Sequence, residues 1–217
     1  MAGSIFLSFE KVGSCDRMNR LSVGNELRRR EKMVLYINAC VREESRTARL
    51  ASVLLERLGE YKELKIAEMG LCPLDSEKLA YRTEMIAKCD YSDPMFDLSK
   101  EWRDADTIVI AAPYWDLSFP AVLKTYLENI YVTGIVSEYD ETGRPRGLCK
   151  AAHLYYVTTA GGPYNPDYSY KLLEDMALNM FGIGKAKLIF AENLDIWGND
   201  PEEIIKKKSI EISSMPL

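Results

Sequence analysis

The chain has 217 residues, of which 47% are hydrophobic, and a formal net charge of −5. That is enough apolar material for one well-buried core. Acids and bases are interspersed, so no basic field invites nucleic acid or an anionic membrane surface. No apolar run approaches the ~20 residues of a membrane span. The N-terminal stretch lacks the layout of a signal peptide, and the expected compartment is the cytoplasm. Cys15, Cys40, Cys72, Cys89 and Cys149 are widely spaced, with no CxxC pair and no Cys/His cluster. That pattern argues against a disulfide framework and against a zinc or other metal site.

Residues 1–32 show no sustained apolar period and are expected to form an N-terminal extension outside the folded domain, 33–217. Arg29, Arg30, Glu31 and Lys32 precede Met33, and the codons AGG-AGG-GAA-AAG would spell a ribosome-binding site there. The extension is therefore read either as a loosely docked arm or as sequence upstream of a start at Met33.

From Met33 the chain alternates. Met33–Cys40 is a nearly continuous apolar run, the mark of a strand buried on both faces. Ser45–Leu58 follows as a helix, with Ala48, Ala51, Leu54, Leu55 and Leu58 on one side, Ser45 as N-cap and Gly59 as stop. Glu63–Met69 reads as a second strand, parallel to the first because so short a crossover is right-handed. Ser76–Cys89 reads as a polar helix, either a surface insertion or part of a subunit interface. Asp93–Asp104 is a further helix, with Met95, Phe96, Leu98 and Trp102 inward. Thr107–Ala112 is the third strand, closed by Pro113, which cannot donate to a ladder. Pro120 opens a helix carrying Val122, Leu123, Tyr126, Leu127 and Ile130 at helical spacing. Val132–Gly147 holds the turn residues Asp140, Gly143, Pro145 and Gly147, so it is a short hairpin or a lid-like loop. Ala151–Thr158 is the fourth strand. Tyr168–Phe181 is a helix with Leu172, Leu173, Met176 and Met180 toward the core. Lys187–Glu192 is the last strand and Pro201–Ile212 the last helix. The order β-α-β-α-α-β-α-β-α-β-α implies an α/β fold, a doubly wound five-stranded parallel sheet of order 2-1-3-4-5 with helices on both faces.

In that topology the loops after strands one, three and four meet at the carboxyl end of the sheet, where open α/β sheets bind ligands. The first offers Ser45, Arg46 and Thr47 at a helix N-terminus, where hydroxyls, free amides and the helix dipole suit an anion such as phosphate. The alternative reading is that Ser45 only caps the helix. The second, Pro113-Tyr114-Trp115-Asp116-Leu117, sets two aromatics and an acid where a flat polycyclic ring could lie. The third, Thr159-Ala160-Gly161-Gly162, allows close backbone approach. No GxGxxG follows the first strand and no GxxxxGK[ST] occurs, so neither a dinucleotide fingerprint nor a P-loop is present. The single histidine, His153, falls inside an apolar run and reads as a strand residue, which removes the base of a histidine-dependent triad.

Taken together, the stretches VIAAPYWDLSFPAVLKTYLENI and VTTAGG make the chain from Met33 onward resemble the FMN-dependent NADH:quinone oxidoreductase/azoreductase family, of flavodoxin-like fold. The resemblance implies that Ser45, Arg46 and Thr47 bind the FMN phosphate. It implies that Pro113, Tyr114, Trp115, Asp116 and Leu117 cradle the isoalloxazine, where the family usually reads Pro-Met-Tyr-Asn-Phe. Thr159, Ala160, Gly161 and Gly162 stand for the family's Ser-Arg-Gly-Gly. Tyr131, Tyr139 and Tyr164 are candidates for the substrate pocket, with Tyr168 nearby. The implied chemistry is two-electron, ping-pong transfer from NADH or NADPH to a quinone or azo acceptor, carried by the flavin with no catalytic side chain. The resemblance also implies a homodimer in which each site is completed by the partner subunit. The rival readings are a flavodoxin-type electron carrier and a flavin-free binding protein on the same fold.

Overall fold

A computed structural model describes residues 32–217. The expectations for the N-terminal extension otherwise lie outside the described residues. Five parallel strands form one sheet: β1 Val34–Asn38, β2 Tyr61–Lys65, β3 Thr107–Ala111, β6 His153–Thr159 and β7 Lys185–Ala191, in the order β2-β1-β3-β6-β7. Strands β4 Ser137–Tyr139 and β5 Pro145–Gly147 pair antiparallel as a separate hairpin. With the hairpin set aside, the order is the expected 2-1-3-4-5. Register runs Val34↔Thr107↔His153↔Lys185 at one end and Asn38↔Ala111↔Val157↔Ile189 toward the other.

Alternation on the strands builds two cores. Leu35, Ile37, Ile108, Ile110, Leu154 and Tyr156 point to one face. There they meet α3 (Asp97–Asp104), α4 (Ala121–Ile130) and α5 (Tyr170–Asp175) through Trp102, Leu123, Tyr126, Leu127 and Leu173. Val34, Tyr36, Val109, Tyr155 and Val157 point the other way. They meet α1 (Arg46–Leu58) and α6 (Pro201–Ser214) through Leu50, Leu54, Leu55, Ile205 and Ile212. Helices therefore cover both faces. α2 (Ser76–Ala87) is the exception: it is capped by Asp75 but has no buried residue.

Two expectations move. The second strand lies at Tyr61–Lys65, not Glu63–Met69. It is an edge strand on which Leu64 is the one buried residue, so the apolar run that followed it marked its end. Ile66 takes one more ladder bond, to the Asn38 carbonyl at 3.0 Å, and a turn closes from Glu68 N–H to the Lys65 carbonyl at 2.9 Å. The helix expected at Tyr168–Phe181 breaks into a 3₁₀ turn at Pro166–Tyr168, α5, and a π turn at Met176–Met180. In the π turn Phe181 N–H donates to the Met176 carbonyl at 2.8 Å, five residues back. That insertion rotates the side chains: Tyr170, Leu173, Ala177 and Phe181 are buried, whereas Leu172 is exposed and Met176 and Met180 are half-buried.

Candidate functional site

The carboxyl end of the sheet gathers the loops after β1, β3, β6 and β7. Ser45 caps α1, its Oγ accepting from Ala48 N–H at 3.3 Å, and no acidic residue stands in the first turn. The amides ahead of Ala48 have no intrahelical partner, so this terminus keeps its positive end. Thr47 is buried, and its Oγ1 lies 2.6 Å from Thr159 Oγ1, which pins α1 to the end of β6. Arg46 remains half-exposed and donates from Nη1 to Asp195 Oδ1 at 2.8 Å. Burial pushes the Cys40 thiol above its ordinary value.

The loop after β3 is a tight turn. Trp115 and Ser118 exchange two backbone hydrogen bonds of 2.8 Å each. Asp116 (φ 49°) and Leu117 (φ 68°) both take left-handed conformations between them, the pattern of a type I′ turn that usually calls for Asn-Gly. A leucine there is strained, and it is held with 62% of its surface exposed. Tyr114 N–H donates to the Thr159 carbonyl at 3.0 Å, so this loop is tied to the glycine loop. The Tyr114 ring meets Tyr164 edge-on at 4.8 Å, while its hydroxyl is buried without a hydrogen-bond partner. Tyr164 donates its own N–H to Glu192 Oε2 at 2.7 Å and shares its hydroxyl with Ser169 at 2.9 Å. Burial raises the Tyr164 phenol above its ordinary value.

In the glycine loop the two glycines differ. A Cβ at Gly162 would meet nothing within 4 Å, whereas one at Gly161 would stand 2.4 Å from Asp195 Oδ2. Gly162 faces open space. At Gly161 the space a side chain would take is filled by the Asp195 carboxylate.

Ser45, Arg46, Thr47, Pro113, Tyr114, Trp115, Asp116, Leu117, Thr159, Ala160, Gly161, Gly162 and Tyr164 thus share one end of the sheet. Tyr131 and Tyr139 do not join them within this chain. Tyr131 follows α4 at the opposite end, its ring 5.8 Å from Phe181, and Tyr139 lies in the hairpin with its hydroxyl 3.3 Å from that of Tyr131. Burial pushes the Tyr131 phenol up to about 12. α4 starts at the ligand end and runs down one side of the sheet, so whatever follows it emerges at the bottom. His153 also lies at that far end, paired with Thr107. Sequence reasoning missed Asp195 and Glu192, which follow β7. Their only signal was two acids within four residues of the end of the last strand.

This donor set suits a flavin mononucleotide. A helix terminus whose first turn carries Arg46 and no acid fits a phosphate, and exposed Trp115, open backbone at Gly162 and the orphaned Tyr114 hydroxyl fit a flat ring with a polar edge.

A parallel sheet of this order with its site at the carboxyl end defines a flavodoxin-like protein, and the family model described as "Flavodoxin-like fold" matches residues 32–214. The chain is 34% identical over 188 residues to FMN-dependent NADH:quinone oxidoreductase 2 of Clostridium acetobutylicum, covering 80% of this chain and 92% of that one. It is likewise 34% identical over 186 residues to the FMN-dependent NADH:quinone oxidoreductase of Coprothermobacter proteolyticus, covering 78% and 90%. In fold it resembles an FMN-dependent NADH-azoreductase of Bacillus anthracis solved in complex with FMN, with a TM-score of 0.70 at 22% identity, covering 84% of this chain and 96% of that one. The chain belongs to the FMN-dependent NADH:quinone oxidoreductase family and is an oxidoreductase. No helix among the described residues is long and apolar enough to cross a membrane.

Proposed function

We propose that the chain is a cytoplasmic, FMN-dependent NAD(P)H oxidoreductase that reduces quinones or azo compounds by two-electron, ping-pong transfer. The observation that carries this reading is the tie between an anion-ready helix terminus and an open aromatic-and-glycine slot, made by the Thr47–Thr159 hydroxyl pair and the Tyr114–Thr159 backbone bond. Ser45, Arg46 and Thr47 hold the phosphate. Trp115 and Leu117 pack against the ring, and backbone amides near Gly161 and Gly162 address its polar edge and favour added negative charge there. Bound FMN supplies the hydride chemistry. The chain's own residues bind, orient and exclude water. No histidine takes part, since the only one lies at the other end of the sheet.

The reading includes a homodimer. Tyr131 and Tyr139 line a pocket only if a second copy presents its hairpin end to this site, and the unburied α2 is the element free to pack between copies. Light scattering should give twice the chain mass; a monomer at micromolar concentration removes the tyrosines from the pocket.

The decisive experiment is the visible spectrum of purified protein, followed by anaerobic NADH. Flavin bands should bleach at once and recover on adding a quinone, with parallel-line initial-rate plots for the two substrates. A colourless protein that takes up no added FMN would remove the function and leave the fold.

A further inference from the structure

Beyond the reading above, and resting on it, the loop after β7 places a negative charge where the phosphate is needed. α1 carries two arginines near its start. Arg49 is fully engaged, bidentate to Glu202 at 2.8 and 2.6 Å. Arg46 is held by one nitrogen only, through Asp195 at 2.8 Å. Asp195 is itself built in: its N–H donates to the Gly161 carbonyl at 2.8 Å, and Asn193 N–H donates to the Gly162 carbonyl at 3.0 Å. The missing side chain of Gly161 leaves the room that the carboxylate fills. The carboxylate does for the guanidinium what a phosphate oxygen does, a charge-assisted bond from one side of the fork.

We propose that Asp195 is an internal competitor for the cofactor phosphate: it holds Arg46 until a phosphate takes the guanidinium over, and so limits how tightly and how fast the site loads. The contact is suited to opening. The two side chains are 36% and 66% exposed, and so exposed a pair is weak and salt-screened. A dianionic phosphate can add the free amides of α1 to the same guanidinium. Asp195 also repels that dianion until it moves.

The test is Asp195→Asn, which keeps the shape and the backbone bonds and removes the charge. Flavin-free protein is titrated with FMN and, in parallel, with riboflavin, following flavin fluorescence. The expected result is an FMN Kd about two- to five-fold lower with faster association, the size an exposed ion pair accounts for, and an unchanged riboflavin Kd. An unchanged or raised FMN Kd overturns the proposal. So does an equal gain with riboflavin, which has no phosphate. In an Arg46→Gln background the gain should shrink to less than half; an undiminished gain shows plain repulsion without a latch and also overturns it. Wild-type protein that binds no FMN overturns the cofactor reading and this proposal together, whereas normal wild-type binding with no effect of Asp195→Asn overturns this proposal alone.

Discussion

The two ends of the same sheet are built by opposite rules. At the amino end the connections interlock. Gly147 lies against the Phe181–Gly182 backbone, Cys149 N–H donates to the Phe181 carbonyl at 3.2 Å, and Lys150 N–H donates to the Arg103 carbonyl at 2.9 Å. At the carboxyl end surfaces are left open. Leu117 holds a strained conformation with its side chain in solvent, Trp197 is 99% exposed, and Gly162 faces empty space. Packing density marks the end that holds the fold together, and unspent contacts and local strain mark the end that waits for a ligand.

The largest effect that would sharpen this contrast is at the interlocked end. A Cβ on Gly147 would stand 2.0 Å from the Phe181 carbonyl carbon and 2.1 Å from Gly182 N, both backbone atoms that cannot swing aside. Gly147→Ala should cost roughly 3 kcal/mol or more, a fall in Tm of about 6–12 °C. Gly162→Val is its counterpart at the open end. It should leave Tm within about 2 °C, since nothing lies near, yet raise the FMN Kd at least about ten-fold by filling the slot. If Gly162→Val binds FMN normally, the ring does not lie against this loop.

Between these falls Asp104 at the amino end. Its hydrogen bond from Arg103, joined by Lys150, lowers the carboxyl to about 2 against partial burial, which acts the other way. A carboxylate whose folded pKa is depressed stabilises the fold above the unfolded value and loses that contribution as pH falls through the folded one. Asp104→Asn should therefore cost roughly 1–2 kcal/mol near pH 7, read as a lower urea midpoint. The gap to wild type should close as pH falls from about 4 toward 2. A gap independent of pH would mean that the side chain acts by shape and not by charge.

How much of this was legible in the sequence follows from where each signal is made. The central strands were clear because Val34–Ile37 and Ile108–Ala111 are buried on both faces and so read as unbroken apolar runs. β2 was misplaced because an edge strand need bury only one residue in five. The π turn left no composition signal, since Met176-Ala177-Leu178-Asn179-Met180 suits an α-helix equally well. In the site, Ser45, Arg46 and Thr47 were visible as an N-cap beside a cation. Asp195 was not, because its role comes from a contact with a residue 149 positions away. Tyr131 and Tyr139 were grouped with the site by residue type alone; the direction of α4, a matter of topology, puts them at the other end.

The smallest expected effect tests the strain itself. Leu117 stands at φ 68°, where a side chain costs on the order of 1–2 kcal/mol relative to glycine. Glycine returns part of that through its own chain entropy, roughly 0.5–1 kcal/mol. Leu117→Gly should therefore stabilise the protein by about 0.5–1 kcal/mol, raising Tm by about 1–4 °C. No core contact is lost, because the side chain already faces solvent. The same variant should weaken FMN binding about two-fold or more, since an exposed leucine beside Trp115 gains its burial only when a ring covers it. Opposite signs in the two measurements would show a stability sacrificed for the ligand. A lower Tm together with unchanged FMN binding would mean that the turn is held by something other than the site it borders.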